Sequence, residues 1–293
     1  MNEKVTPLVS VVIPTYNYAR YLGRALQSVL DQTYTNWEAI VIDNHSTDNT
    51  DEVMASFVDP RITYLKIHNN GVIAASRNMG IKAAKGEWVA FLDSDDWWSV
   101  GKIETCLNYI DDNVDLIYHD LEIAYDKLNF FRRSSWKVKS PVLKDLLFRG
   151  NAISNSSVIV RKKLLMKIGG INEDIRMIAA EDYNTWLRIA TITDAFKYIP
   201  KPLGVYEVHL GGVSQCDISI PHLHAIKDFC NDLTSRELSY IEKHIKYIAG
   251  RYRYLKKEYS AAEGLLREAL SLKRPILSLK SLYMLLVISL KNS

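Results

Sequence analysis

The chain has 293 residues, of which 47% are hydrophobic and 24% charged, with a formal net charge of +3. This composition is ordinary for a soluble globular protein, and the charge is too small to indicate a nucleic-acid partner. Three scattered cysteines (Cys106, Cys216 and Cys230) lack the spacing of a zinc site or a disulfide framework. They favour a reducing, cytoplasmic compartment, and no apolar signal segment precedes the first strand-like run.

The first part of the chain alternates strand and helix patterns. Short β-branched runs predict buried strands at 8–13, 39–42, 61–67, 87–92 and 114–119. Helical spacing of apolar residues predicts helices at 21–30, 53–58 and 74–84. This alternation predicts β-α-β units and a parallel sheet. The pattern is mixed from 120 to 215, with a helix predicted at 181–191, and only helices are predicted after Pro221.

Polar residues follow the first two predicted strands, where parallel sheets bind ligands. Pro14, Thr15, Tyr16 and Asn17 follow the first strand, and Asp43 follows the second. Tyr16 suits stacking on a nucleobase and Asp43 suits a base N–H, although an aspartate there also caps turns. The sequence contains neither a GxGxxG fingerprint nor a P-loop, so neither of those nucleotide sites is supported.

The acidic stretch after the fourth predicted strand has the spacing of a divalent-cation site. Asp93 and Asp95 are carboxylate ligands of the kind that Mg²⁺ and Mn²⁺ prefer, and the alternative is an acidic surface turn. Trp97 and Trp98 follow directly, and their indole faces suit a sugar, although one of the pair is expected in the core. His209 precedes two glycines and is a candidate ligand of metal or phosphate.

A second acidic pair begins the predicted helix at 181. Glu181 and Asp182 are favoured there by the helix dipole alone, and the functional alternative is a general base for an acceptor hydroxyl. Asn-Ser-Ser at 155–157 is interpreted as polar surface.

The C-terminal segment is apolar, but its longest stretch without a charge, Ser281 to Leu290, is too short to span a membrane. It suits a membrane interface, a buried helix or an oligomer contact. In the first case, four basic residues would face anionic lipid: Lys273, Arg274, Lys280 and Lys291.

Three blocks, at 10–50, 75–98 and 169–190, together resemble the family 2 glycosyltransferases of GT-A fold. The resemblance implies an α/β protein with a Rossmann-like, mostly parallel central sheet flanked by helices. It implies a GT-A domain over 1–218, with a nucleotide-binding part at about 1–120 and an acceptor part at about 121–218. A helical C-terminal extension is predicted over 219–293.

The implied activity is inverting, metal-assisted transfer of a sugar from a nucleotide diphosphate, commonly UDP, to a hydroxyl of a glycan or lipid-linked acceptor. Asp182 would be the base with Glu181 beside it, Asp95 and His209 would bind Mn²⁺ or Mg²⁺, and Trp97 and Trp98 would contact the acceptor. The candidate donor-binding residues are Pro14, Thr15, Tyr16, Asn17, Asp43, Arg77, Asp93 and Ser94.

Two departures from the family pattern stand out. Asn44 replaces a frequent second aspartate, and the frequent Tyr-Arg-x-His reads Tyr206-Glu207-Val208-His209, which removes one diphosphate contact that the family pattern implies. A sugar nucleotidyltransferase and a catalytically silent nucleotide-binding scaffold are the alternatives. Expected partners are a UDP-sugar, the acceptor, the inner face of the membrane and a second copy of the chain, but no nucleic acid.

Overall fold

The computed structural model describes residues 6–125, 128–130, 135–209, 212, 216–271 and 275–292. Its strands are β1 (Val9–Thr15), β2 (Trp37–Asp43), β3 (Ile62–Lys66), β4 (Trp88–Phe91), β5 (Trp97–Trp98), β6 (Leu116–Tyr125), β7 (Leu128–Phe130), β8 (Ile159–Arg161) and β9 (Phe196–Val208). Its helices are α1 (Ala19–Leu30), α2 (Thr50–Ala55), α3 (Ile73–Ala83), α4 (Lys102–Leu107), α5 (Val142–Arg149), α6 (Lys162–Lys167), α7 (Glu181–Ala190), α8 (Ser219–Ile226), α9 (Ser235–Leu255), α10 (Tyr259–Glu268) and α11 (Pro275–Asn292).

One sheet contains every strand of the described residues, in the order β3-β2-β1-β4-β8-β6-β9-β5, with β7 paired to β6. The strands β3, β2, β1 and β4 are parallel, as are β6 and β9, whereas β8 runs antiparallel to both β4 and β6. The prediction of a mostly parallel α/β sheet is confirmed. Helical crossovers join β1 to β2, β2 to β3 and β3 to β4, so the carboxyl ends of these strands meet at one edge.

Both faces of the sheet are buried, which explains the continuous apolar runs of its strands. Successive side chains of β1 alternate between two cores: Val11 and Ile13 pack on the side of α1, and Val12 packs on the side of α3 and α7. The result is a layered arrangement that holds the strand ends rigidly.

Helix α3 approaches the sheet closely because of one glycine. A Cβ at Gly80 would lie 2.5 Å from the side chain of Val12 and 2.8 Å from that of Ile42. Arg77, one turn earlier on the same helix, is therefore held over the carboxyl ends of the strands.

The C-terminal helices form two groups. Ala225 of α8 and Ile241 of α9 belong to a core of the main sheet, whereas Ala262 of α10 and Met284 of α11 belong to a small separate cluster. The division at residue 218 stays a prediction. No helix in the described ranges has both the length and the apolar character needed to cross a bilayer. Lys273 and Arg274 lie outside the described residues.

Candidate active site

A cleft of about 560 Å³ opens at the carboxyl ends of β1 to β4. This volume is in the range of sites for small ligands. The cleft brings together side chains that are far apart in the chain. Its lining includes Pro14, Thr15, Tyr16, Asn44, Asn69, Arg77, Asp93, Ser94, Asp95, Asn151, Asn155, Ile178, Glu181, Asp182, Tyr206, Glu207 and Ile218.

A buried guanidinium joins the two acidic segments of the cleft. Arg77, which is 3% exposed, donates one N–H to Asp93 Oδ1 at 2.7 Å and another to Glu181 Oε1 at 2.5 Å. Its charge compensates two carboxylates that burial would otherwise destabilise. Glu181 is 7% exposed and bonds Arg77 through Oε1, a contact that suits a positioning residue.

The turn after β4 is supported by a segment that sequence analysis misjudged. Asn155 donates to Asp93 Oδ1 at 3.0 Å, and the backbone N–H of Asp93 donates to Ser156 Oγ at 3.0 Å. Residues 155–157 are buried, so their interpretation as polar surface is wrong. Asn155 and Ser156 bond the acidic turn, and Ser157 Oγ donates to Ser154 O at 2.6 Å; a short Asn-Ser-Ser tripeptide carries no signal of such partners.

Asp95 and His209 meet at the opposite side of the acidic turn. His209 Nε2 lies 3.0 Å from Asp95 Oδ2, and the ring packs against Tyr21 and Tyr18 with centroid distances of 4.9 and 5.4 Å. Burial, together with the nearby charge of Asp93, raises the pKa of Asp95 above its usual value.

This pair fits one side of a divalent-cation site. Two neighbouring ligands of an octahedral ion, each at about 2.1 Å, lie about 3.0 Å apart, which is the separation of Asp95 Oδ2 and His209 Nε2. Within the residues that the structure describes, no set of three or more His, Cys, Asp or Glu side chains is arranged to hold a metal. A cation held here would therefore complete its shell with water and substrate oxygens.

Asp182 stands on the other wall of the cleft, in the first turn of α7. Asn151 donates to its Oδ2 at 3.2 Å, and the N–H of Tyr183 donates to its Oδ1 at 2.6 Å. Its low-dielectric surroundings, and next the adjacent Glu181 charge, raise the pKa of Asp182 to about 7. A carboxylate with such a pKa accepts a proton readily near neutral pH, which suits a general base.

The predicted donor residues on the first strands occupy different depths. Pro14, Thr15 and Tyr16 line the cleft, and the Tyr16 ring is 51% exposed and open for stacking. Asn17 lies outside the lining, where its Oδ1 accepts the N–H of Thr47 at 2.7 Å.

Asp43 is fully buried below the cleft and shows the turn-capping contacts. Ser46 Oγ donates to its Oδ1 at 2.5 Å, and Tyr64 donates to its Oδ2 at 3.0 Å. A contact between Asp43 and a base would require one of these donors to give way.

The tryptophans do not line the cleft, because they form the edge strand β5 against β9. Trp98 is 3% exposed, its Nε1–H donates to Ser156 O at 2.7 Å, and Lys102 Nζ lies 3.6 Å from its ring centroid. Trp98 is therefore the member of the pair that belongs to the core, and in this structure it offers no exposed ring to an acceptor. Trp97 is half-buried, with the Arg24 guanidinium 3.5 Å from its ring centroid.

Arg24 is a residue of this region that sequence analysis missed. It donates to the backbone O of Asp95 at 3.1 Å and to Glu207 Oε2 at 3.1 Å. Glu207 occupies the arginine position of the Tyr-Arg-x-His pattern. The positive charge in this region therefore comes from Arg24 of α1 and not from that segment. Glu207 is the sequence feature that could have indicated this arginine, because a carboxylate close to aspartates needs a positive charge nearby.

A comparison with protein families matches residues 10–169 to the model of Glycosyl transferase family 2. Among curated proteins, the chain is 31% identical over 183 residues to UDP-Glc:alpha-D-GlcNAc-diphosphoundecaprenol beta-1,3-glucosyltransferase WfgD of Escherichia coli, covering 62% of this chain and 69% of that protein. It is 41% identical over 106 residues to TuaG of Bacillus subtilis (strain 168), named as a teichuronic acid biosynthesis glycosyltransferase, covering 36% of this chain and only 42% of that relative.

Solved structures show the same fold at low sequence identity. S. aureus TarS 1-349 in complex with UDP-GlcNAc aligns with a TM-score of 0.63 at 19% identity, covering 89% of this chain and 81% of that one. The mannosyltransferase PcManGT from Pyrobaculum calidifontis, in complex with GDP-Man and Mn²⁺, aligns with a TM-score of 0.63 at 19% identity over 97% and 81%. At this identity the likeness speaks for the fold alone.

Proposed function

The chain belongs to Glycosyl transferase family 2, and we propose that it transfers a sugar from a nucleotide diphosphate donor, a UDP-sugar, to a hydroxyl of a lipid-linked glycan. The family resemblance inferred from the sequence is confirmed. The observation that carries the proposal is that the acidic turn after β4 and the start of α7 open into one cleft at the strand ends.

The donor would occupy the side of the cleft that is formed by the carboxyl ends of β1 and β4. Tyr16 offers an exposed ring for the base, and Pro14, Thr15 and Ser94 line the floor next to it. Asp93 is fixed by Arg77 and Asn155, which suits a carboxylate that accepts ribose hydroxyls. The nucleotide is assigned as UDP because the WfgD relative is named for UDP-Glc and the TarS neighbour binds UDP-GlcNAc.

Asp182 would remove the proton of the acceptor hydroxyl as that oxygen attacks the anomeric carbon. Attack from the face opposite the nucleotide inverts the anomeric configuration, and the nucleoside diphosphate leaves with the bonding electron pair. Asn151 holds the Asp182 carboxylate in place, and burial, followed by the charge of the neighbouring Glu181, keeps the pKa of Asp182 high. Glu181 would act through its charge and its bond to Arg77 rather than on the substrate.

Asp95 and His209 would hold Mn²⁺ or Mg²⁺ together with donor oxygens. When bound, such an ion stabilises the negative charge that develops on the leaving diphosphate. The neighbour PcManGT, which shares this fold, was solved with GDP-Man and Mn²⁺. The two tyrosines that pack on His209 keep its ring in the orientation that faces Asp95.

The acceptor is proposed from the WfgD relative, whose name specifies a diphosphoundecaprenol carrier. Helix α11 supports a location at the inner face of the membrane. It has no acidic residue and exposes large apolar side chains on one face, with Lys280 and Lys291 also exposed. The exposed apolar residues are Ile276, Leu279, Leu282, Tyr283, Leu286 and Leu290. Burying such a face between two copies of the chain is the oligomeric alternative.

Incubation with UDP-glucose, UDP-GlcNAc and GDP-mannose, each with Mn²⁺, tests the proposal. A ligand that binds only the folded state raises the melting temperature, and slow hydrolysis without an acceptor releases UDP. We expect both effects with at least one UDP-sugar. A silent scaffold would bind without turnover, whereas a nucleotidyltransferase would release pyrophosphate from UTP and a sugar 1-phosphate. Either result would contradict the proposed activity.

A further inference from the structure

Three large apolar side chains are exposed beside the mouth of the cleft. Ile175 is 65% exposed, Ile220 is 64% exposed and Leu223 is 52% exposed. They are called here the apolar rim. Contiguous exposed apolar surface is uncommon on soluble proteins and marks a binding surface more often than chance.

The rim is built from two elements that pack against each other. Ile175 begins a 3₁₀ turn, Ile175–Met177, that contacts α8, and Ile220 and Leu223 lie three residues apart on α8 and so share its outer face. Met177 and Ala225 anchor the two elements, since both are buried. The outward orientation of the rim is therefore fixed by the inward packing of its neighbours.

The rim continues an apolar wall of the cleft. Ile178, at the end of the 3₁₀ turn, and Ile218, directly before α8, both line the cleft. Each of the two elements thus presents one isoleucine to the cleft and further apolar residues to the outside. From Ile218 to Leu223 the helical rise gives a path of about 8 Å that leads away from the cleft.

We propose that the apolar rim binds the hydrocarbon chain of an amphipathic, lipid-linked acceptor whose polar head occupies the cleft. This rests on the proposed function, and it adds the surface that would distinguish such an acceptor from a free sugar. Continuity with the cleft favours this occupant over a second copy of the chain, because a protein partner would need no apolar path into the site.

Binding of a soluble prenyl probe tests the rim. Geranylgeranyl diphosphate and inorganic pyrophosphate are titrated by calorimetry, below the critical micelle concentration of the lipid, with the donor site saturated by UDP. We expect the wild type to bind the prenyl probe at least about tenfold more tightly than pyrophosphate. The double variant Ile220→Gln, Leu223→Gln should lose about tenfold to a hundredfold of the prenyl affinity and none of the pyrophosphate affinity.

Val58→Gln is the matched control, since Val58 is 94% exposed in the loop after α2, and it should leave prenyl binding unchanged. Equal affinities of the wild type for the two probes, or an unchanged prenyl affinity in the double variant, would overturn the proposal. A double variant that turns a dimer into a monomer in sedimentation, with prenyl binding intact, would assign the rim to a second copy instead. A UDP titration of each variant, made before UDP is added to saturation, reports separately on the proposed donor site.

Discussion

The proposed role of Asp182 as the base predicts a defined pH dependence of transfer. An aspartate with an ordinary pKa near 3.8 is fully ionised from pH 6 to 8, so its activity as a base would be flat there. With the pKa of Asp182 at about 7, the ionised fraction is about 9% at pH 6, about 50% at pH 7 and about 91% at pH 8. Transfer should therefore rise about fivefold from pH 6 to 7 and less than about twofold from pH 7 to 8.

Asp182→Asn removes the proton acceptor and keeps the shape of the side chain. Loss of a positioned general base lowers the rate by about 10²–10⁴-fold, equivalent to about 3 to 5 kcal/mol of activation free energy. The affinity for UDP should be nearly unchanged, because the contacts of Asp182 are with Asn151 and the first turn of α7. Initial rates of UDP release and calorimetric UDP binding measure the two quantities, with Asp112→Asn as an exposed acidic control.

The same substitution has a stability signature of defined sign. Because the pKa of Asp182 is raised on folding, the folded state binds its proton more tightly than the unfolded state. The contribution of Asp182 to the stability of the wild type therefore falls as pH rises from about 4 to 7. The Asn variant should melt at a higher temperature than the wild type at pH 8, and at the same temperature below pH 4. Full transfer activity in this variant, or a flat wild-type profile from pH 6 to 8, would refute the assignment of the base.

The remaining predictions concern the metal pair, a buried lysine and the close helix–sheet contact. Asp95→Asn should abolish the dependence of UDP affinity on Mn²⁺ while leaving metal-free binding intact, which calorimetry with and without Mn²⁺ would show; unchanged Mn²⁺ dependence would contradict the metal assignment. Burial lowers the pKa of Lys102 to about 7, so Lys102→Met should raise the free energy of unfolding by about 3 to 5 kcal/mol at pH 7 and by much less near pH 10. Urea unfolding at the two pH values measures this, and an equal increase in the free energy of unfolding at both would contradict the reasoning. Gly80→Ala should cost about 1–3 kcal/mol through overpacking against Val12 and Ile42, measured in the same way, and a neutral effect would show that the strands can separate to admit a methyl group.

Sequence patterns predicted the sheet because its strands are buried on both faces and therefore have distinctive composition. They also placed Arg77, Asp93, Asp95 and Asp182 in one region, since strand ends and helix starts are local features of the chain. These residues do line the cleft, although their roles stay predictions.

Other parts of the site could not be predicted because they depend on long-range packing. The buried Asn155 bonds Asp93, 62 positions away, and Arg24 bonds the backbone O of Asp95 across 71 positions. Trp98 follows an acidic turn and resembles a surface residue, but its strand pairs with β9, more than a hundred residues later. Register between distant strands is not encoded in any short pattern.

The shared arginine has a consequence for any attempt to redesign this protein. Because Arg77 is bonded to both the turn after β4 and α7, one side chain joins the turn proposed to bind the nucleotide to the helix proposed to carry the base. A transplant of α7 from a relative with another acceptor would have to bring a carboxylate at position 181, or the buried Arg77 would keep only Asp93 as its ion-pair partner. Substitutions intended to change the acceptor are therefore better placed in the apolar rim than at Arg77 or its carboxylate partners.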